Sequence, residues 1–236
     1  MASLNIDVQH LEQCLLNYSN ILKAKADTLN KEKKKILIEL DDWYQNELPA
    51  AINERQTKCI KHDELCKLMQ WKLTRGKFRP RLTELVKSNE AEQVECVSSR
   101  AFKQLPDVIT AMKTLTTLKA VGPATASAIL AAVLPEKVPF MADESMIYAL
   151  PNRPKMYTIP YFTDYMNAVS NIRKMFAKSD SKTIQTKWSA HQVELALWAS
   201  SVALSLHFQF DVSVSNENSH NANREDGSPE KKKKKC

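Results

Sequence analysis

Glycine is scarce in this sequence, with three residues among 236, and almost no segment favours β-strands. Apolar residues recur with the roughly 3.6-residue period of an amphipathic helix, and ten prolines separate the periodic segments. These patterns exclude a sheet-based fold and predict an all-α protein of one lobe or two. The predicted helices cover residues 4–24, 27–44, 49–60, 63–72, 80–87, 90–99, 106–118, 123–134, 144–150, 163–177 and 190–208.

Cysteine is also sparse and irregularly spaced. The five residues are Cys14, Cys59, Cys66, Cys96 and Cys236, an odd number without a Cys-x-x-Cys pair or the spacing of metal ligands. Such spacing argues against the disulfide framework of a small secreted protein. We expect reduced thiols in an intracellular protein and no bound metal.

Long apolar runs are missing as well. Glu194 and several serines interrupt the most apolar segment, 190–208, so we expect a central core helix there and not a membrane span. Ser189 and Gln192 have the spacing of a capping box at its start. No segment has the pattern of a secretory signal. We expect a monomer without a membrane partner.

The apolar pattern stops at Ser213, which divides the chain into a helical domain at 1–212 and a polar tail at 213–236. We expect the tail to be disordered. Its lysine run, Lys231 to Lys235, is typical of a nuclear import signal, and the alternatives are a nonspecific nucleic-acid contact or a solubilising tail. We favour a nuclear protein.

The net charge is +7, and a surplus of five cations remains on the helical domain when the tail is set aside. This surplus is compatible with DNA or with an acidic protein as the partner.

One glycine lies in an apolar connection between two predicted helices. Gly122 joins the segments 106–118 and 123–134, and Pro123 suits the first position of the second helix. We expect Gly122 to adopt a positive φ and the amides that open the helix to point outward, where they would bind a phosphate. The predicted DNA contacts here, which we call the glycine turn, are Val121, Gly122, Pro123, Ala124 and Thr125. The alternative is an ordinary helical hairpin capped by glycine.

A second group of cations lies upstream, in the basic segment 72–81. It comprises Lys72, Arg75, Lys77, Arg79 and Arg81, and Gly76 and Phe78 interrupt it. We expect an exposed loop that contacts the DNA phosphate backbone. The aromatic residues Trp71 and Phe78 either stack on an exposed base or anchor the loop to the core, and core anchoring is favoured.

The hairpin at 106–134 resembles the helix-hairpin-helix DNA glycosylase superfamily, whose usual pattern is Leu-Pro-Gly-Val-Gly-x-Lys-Thr-Ala. The matching residues are Leu118, Val121, Gly122, Thr125 and Ala126. The departures are Lys119 for the proline, Ala120 for the first glycine and Ala124 for the nucleophilic lysine, which excludes a Schiff-base lyase step at that position. From Trp71 to Asp143 the chain is also similar to an Amun-like group of eukaryotic glycosylase-like proteins.

The resemblance implies a catalytic acid beyond the hairpin. Asp143 lies where the family has it, and Glu144 is the substitute if the alignment is off by one residue. The acid would stabilise the charge that builds on the sugar as the base departs. The alternative is that Asp143 caps the helix that follows.

The resemblance also implies a residue that fills the gap left by an extruded base. Gln70 falls on the matching position and Trp71 is its neighbour. Some glycosylases carry an iron–sulfur cluster on four closely spaced cysteines, and since that pattern is missing we expect no cofactor.

Together these features predict a DNA-binding protein of the glycosylase fold, acting as a monofunctional N-glycosylase in base-excision repair. The alternatives are a DNA-binding or regulatory adaptor that has lost the chemistry and a protein-interaction module built on helical faces.

Overall fold

A computed structural model describes residues 6–176 and 188–210. Within these residues all regular secondary structure is helical, which confirms the all-α prediction. The helices are α1 (Val8–Leu16), α2 (Tyr18–Asp27), α3 (Lys31–Asp42), α4 (Leu48–Glu54), α5 (His62–Arg75), α6 (Pro80–Lys87), α7 (Ala91–Lys103), α8 (Val108–Leu115), α9 (Pro123–Val133), α10 (Asp143–Ala149), α11 (Ile159–Phe176) and α12 (Ala190–Leu206). The tail at 213–236 and residue 177 of the predicted helix 163–177 lie outside the described residues.

The first predicted helix is divided in two. Asn17 ends α1 and precedes α2, and its side-chain amide donates to the Gln13 carbonyl. Asn30 starts α3 by accepting a hydrogen bond from the Lys33 amide, a typical N-cap arrangement. A π-helical segment, Trp43–Glu47, then continues α3 into α4. Helices α2 and α3 pack against each other.

Helix α12 lies in the centre of the protein, as its apolar composition predicts. It packs against α1, α2, α10 and α11, and its residues are buried almost all round. Ser189 and Gln192 form the predicted capping box. Every helix contributes buried apolar residues to one continuous cluster that includes this helix.

The end of α5 is fixed against the hairpin formed by α8 and α9. The Trp71 ring stacks on Tyr44 with centroids 3.6 Å apart, and the Tyr44 hydroxyl donates to the Ala128 carbonyl of α9 at 2.8 Å. The start of α9 therefore lies near the last turn of α5. This packing brings the glycine turn toward the basic segment.

Candidate functional site

The glycine turn has a different backbone from the one predicted. Gly122 is extended, with φ −84° and ψ −179°, and the positive φ of 62° belongs to Ala120. The expectation of a positive φ at Gly122 is wrong because the chain reverses two residues earlier. Ala120 occupies the position of the first glycine in the resembled pattern, and that alignment could have located the reversal.

The amides of the glycine turn are partly free. Among the described residues, Gly122, Ala124 and Thr125 donate no backbone hydrogen bond, and Gly122 has no side chain to cap α9. Such amides at the start of a helix attract anions. Val121 differs, since its side chain is buried in the core and its amide donates to the Leu118 carbonyl at 3.2 Å. Thr125 is also buried, at 2% exposed, so neither Val121 nor Thr125 is a surface DNA contact.

Asn89 holds the turn in place. Its side-chain amide donates to the Lys119 carbonyl at 3.0 Å, and its carbonyl oxygen accepts from the Lys119 amide at 2.8 Å. The paired bonds connect the α6–α7 junction to the approach of the turn. Sequence reasoning missed Asn89 because nothing near it in the chain indicates this partner.

The basic segment is not one exposed loop. Lys72 and Arg75 lie in the last turns of α5, Lys77 and Arg79 lie in the exposed connection 76–79, and Arg81 is exposed near the start of α6. Lys72 is half-buried. Lys72 and Lys77 form no ion pair with a described residue. The Arg79 guanidinium lies 3.5 Å from the Tyr157 hydroxyl and 5.3 Å from the centroid of its ring.

Arg75 is a correction to the predicted DNA contacts. Its side chain is 1% exposed and pairs with Glu194 at 3.2 Å, with Asp41 3.9 Å away. The guanidinium also lies over the Trp198 ring, 4.2 Å from its centroid. Arg75 is a buried structural cation because two interior carboxylates and an indole enclose it, so it cannot pair with a DNA phosphate on the surface.

Trp71 is likewise not a base wedge. Its indole is fully buried and donates to the Asp41 carboxylate at 2.9 Å, so core anchoring is the correct alternative. Gln70 is exposed but lies outside the cavity described next. The exposed aromatic residue in this region is Phe78, which is 61% accessible and lies between Lys77 and Arg79.

The sequence-predicted elements meet in one cavity of about 230 Å³, which we call the Asp143 cavity. Its wall includes the turn residues Ala120, Gly122, Pro123, Ala124 and Thr125, the cations Lys72, Lys77 and Arg79, and the acids Asp143 and Glu144. Arg75, Phe140 and Trp198 are buried residues that also line it. Its volume is below the roughly 300–1,000 Å³ usual for drug-sized ligands, so it suits one small group, such as a base or a sugar.

Two residues of the cavity wall carry polar atoms without a partner. The Arg75 Nη2 and Trp198 Nε1 atoms are buried and form no hydrogen bond with any described residue. Buried donors of this kind are uncommon in native proteins.

Asp143 begins α10 but does not cap it. Ala142 is the N-cap residue, and the Asp143 carboxylate accepts hydrogen bonds from the Tyr157 hydroxyl at 2.5 Å and from the Lys155 ammonium at 2.9 Å. Burial raises the pKa of Asp143, but these hydrogen bonds and the charges of Lys155 and Arg79 outweigh it and hold the pKa below its ordinary value. The carboxylate is therefore ionised at neutral pH. Nothing in the sequence near Asp143 indicates either partner.

The pKa of Lys72 is also lowered, which in a lysine disfavours the charged form. Burial, the largest cause, and the charge of Arg79 together lower the pKa of Lys72 to about 8, against a smaller opposing effect of Asp143. A lysine in this range is partly neutral near physiological pH.

The described residues contain no group of three or more His, Cys, Asp or Glu side chains arranged to hold a metal ion. In the same part of the chain no helix combines the length and apolar character needed to cross a membrane.

Comparisons of the chain with protein-family models, with curated proteins and with solved structures found no match in any of the three. The geometry of the Asp143 cavity is therefore what supports a function.

Proposed function

We propose that this chain is a DNA-binding protein with the helix-hairpin-helix glycosylase fold that acts as a monofunctional N-glycosylase on a damaged or mismatched base. The free amides of the glycine turn and the Lys77 and Arg79 side chains would contact the phosphate backbone. The Asp143 cavity would accept the extruded base.

The observation that carries the proposal is the convergence at one cavity of free amides, unpaired cations and an ionised acid. Gly122, Lys77 and Asp143 are far apart in the chain, yet all three line the same 230 Å³ space. Amides at a helix start and unpaired cations favour phosphates. An ionised carboxylate next to such a phosphate-binding site would stabilise positive charge on a sugar.

Gly122 adds a second argument. Its backbone is extended, and a Cβ added there would meet no atom within 4 Å. Neither its conformation nor its protein neighbours call for glycine. Close approach of a ligand to the backbone explains the missing side chain.

The proposed chemistry needs an acid and water. As the N-glycosidic bond breaks, its electron pair leaves with the base and positive charge spreads over the sugar C1′ and O4′ atoms. The Asp143 carboxylate would stabilise this charge, and water would then add to C1′.

A non-catalytic DNA-binding adaptor is the second candidate. The observation that favours it is the pairing of Asp143 with Tyr157 and Lys155, which already satisfies the carboxylate. Ala124 adds to it, because the nucleophilic lysine of the resembled pattern is missing. This candidate retains the phosphate contacts and lacks base release.

Salt-dependent duplex binding tests the DNA-binding part. Lys77→Ala and Arg79→Ala should each weaken binding and reduce the slope of log K against log salt by about 1, since each lost phosphate contact releases fewer counterions. Lys23→Ala is the matched control because Lys23 is exposed on α2, away from the cavity. Equal slopes for all three variants, or no duplex binding by the wild type, would refute the proposal.

Base release tests the enzyme part. The full chain is incubated with duplexes that each carry one damaged or mismatched base, and free base is quantified for the wild type and for Asp143→Asn. Release that the substitution abolishes, with duplex binding retained, supports the glycosylase. Binding without release from any duplex supports the adaptor.

A further inference from the structure

Lys72 lines the Asp143 cavity but has no role in the proposed monofunctional chemistry. It lies on α5 between Trp71 and Leu73, which are both buried. Among the described residues its ammonium has no hydrogen-bond or ion-pair partner. A half-buried lysine without a carboxylate partner is unusual, because desolvation of an unpaired cation is unfavourable.

Among the described residues neither Asp143 nor Glu144 forms an ion pair with Lys72. Asp143 is hydrogen-bonded to Lys155 and Tyr157 instead. Arg79, on the connection that follows α5, is a second cation close enough to disfavour the charged form of Lys72. With a pKa of about 8, about a tenth of Lys72 is the neutral amine at pH 7. The neutral amine is the form that attacks carbonyl carbons.

The remainder of the cavity defines which carbonyl compound fits. The amides of Gly122 and Ala124 favour a phosphate, and so do the unpaired cations Lys77 and Arg79. The volume allows a sugar-sized group next to that phosphate. An aldehyde attached to a sugar–phosphate chain meets both conditions.

We propose that Lys72 is the nucleophile that forms a Schiff base with the C1′ aldehyde of an abasic deoxyribose in DNA. This inference rests on the proposed DNA-binding function and extends it, because an abasic site is what base release would leave behind. It also differs from the resembled pattern, since the amine is on α5 and not on the hairpin, where Ala124 stands.

The step is balanced without a cofactor. The neutral Lys72 Nζ atom attacks C1′ of the ring-opened sugar, the carbonyl electron pair moves to oxygen, and that oxygen takes a proton. The resulting carbinolamine loses water as nitrogen forms the double bond to C1′. The protonated imine that results is positively charged, and the ionised Asp143 carboxylate on the same cavity wall stabilises that charge.

Reductive trapping tests the proposal. Full-length protein is mixed with a duplex containing one abasic site, cyanoborohydride reduces any imine to a stable amine, and the adduct is mapped by mass spectrometry. We expect a covalent adduct on Lys72 in the wild type and at least a hundredfold less adduct in Lys72→Arg, which keeps the charge but cannot form the imine. Lys67→Arg is the control on the same helix, because the Lys67 ammonium lies 4.5 Å from the Trp43 ring centroid, away from the cavity, and should trap like the wild type.

The outcomes separate this proposal from the proposed function, since duplex binding is measured in the same samples by fluorescence anisotropy. Binding without an adduct, or an adduct mapped to another lysine, overturns the Lys72 assignment and leaves DNA binding standing. No binding overturns both. Thermal unfolding of Lys72→Arg checks that the variant is folded, and the mapped position in the wild type decides the question if it is not.

Discussion

Arg75 and Glu194 form an ion pair in the protein interior, with Nη1 and Oε1 3.2 Å apart and both side chains at most 1% exposed. The pair joins the last turn of α5 to the first half of α12. It lies behind the Asp143 cavity, because Arg75 also lines the wall.

Replacing Arg75 should destabilise the protein. Arg75→Ala leaves Glu194 and Asp41 buried without a cation, which typically lowers the free energy of unfolding by about 3–5 kcal/mol. Urea unfolding followed by circular dichroism measures the change. Arg81→Ala is the control, since Arg81 is exposed, and should change the free energy by less than about 0.5 kcal/mol. Similar values for both variants would contradict the structural role assigned to Arg75.

The wrong prediction for Arg75 shows that local sequence patterns do not reveal contacts between distant segments. Five cations within ten residues are typical of an exposed loop, and the partner that buries Arg75 is 119 residues away. Basic residues also continue beyond Arg75, the last residue of α5, so their spacing does not mark the end of the helix. Only the packing of α5 against α12 separates Arg75 from Lys77 and Arg79.

Other parts of the site could be predicted. The helical periods predicted α9 and α12 closely, because the apolar spacing, Pro123 at the start of α9 and the capping box at the start of α12 are local signals. The resemblance to the glycosylase pattern, which has a catalytic acid beyond the hairpin, was what connected Gly122 with Asp143. The Tyr157 and Lys155 contacts were not predictable, since they depend on how the connection 150–158 returns over α10.

Replacing Gly122 should affect DNA binding and protein stability differently. Gly122→Ala should leave the free energy of unfolding unchanged or raise it by up to about 1 kcal/mol, because its φ suits alanine and the added Cβ meets no atom within 4 Å. The same change should weaken duplex binding, since the methyl group stands where the phosphate approaches. Thermal unfolding and anisotropy measure the two effects. Undiminished binding would mean that no ligand contacts this backbone.

At Ala120, unlike at Gly122, we expect glycine to be more stabilising than alanine. Its φ of 62° lies in the left-handed region, where a Cβ is unfavourable by about 1–2 kcal/mol. Ala120→Gly should therefore raise the free energy of unfolding, by about 0.5–1 kcal/mol once the greater entropy of glycine in the unfolded chain is included. Calorimetry checks this, with Ala124→Gly as the control. Ala124 lies in the first turn of α9, so its replacement should destabilise the protein.

Tyr157 should control the ionisation of Asp143. The pKa of Asp143 is lower in the folded than in the unfolded protein, so this acid stabilises the fold above its unfolded pKa, and the stabilisation is lost as pH falls through the folded value. Tyr157→Phe removes one of the two hydrogen bonds that lower the pKa, so the value should rise. Carbon-13 NMR titration of the Asp143 carboxyl group measures it. An unchanged pKa would show that Lys155 and Arg79 suffice.

The pH profile of trapping reports on Lys72 itself. Since burial and Arg79 lower the pKa of Lys72 to about 8, the neutral fraction and the adduct rate should rise about tenfold from pH 6 to pH 7 and level off above pH 8. Arg79→Gln removes the neighbouring cation, so the midpoint of the profile should move to higher pH. Each profile is measured at saturating DNA and normalised to its plateau, so a difference in duplex affinity does not move the midpoint. If Arg79→Gln leaves the midpoint unchanged, burial alone lowers the pKa of Lys72. If the rate still rises steeply at pH 9, Lys72 is not the reacting amine.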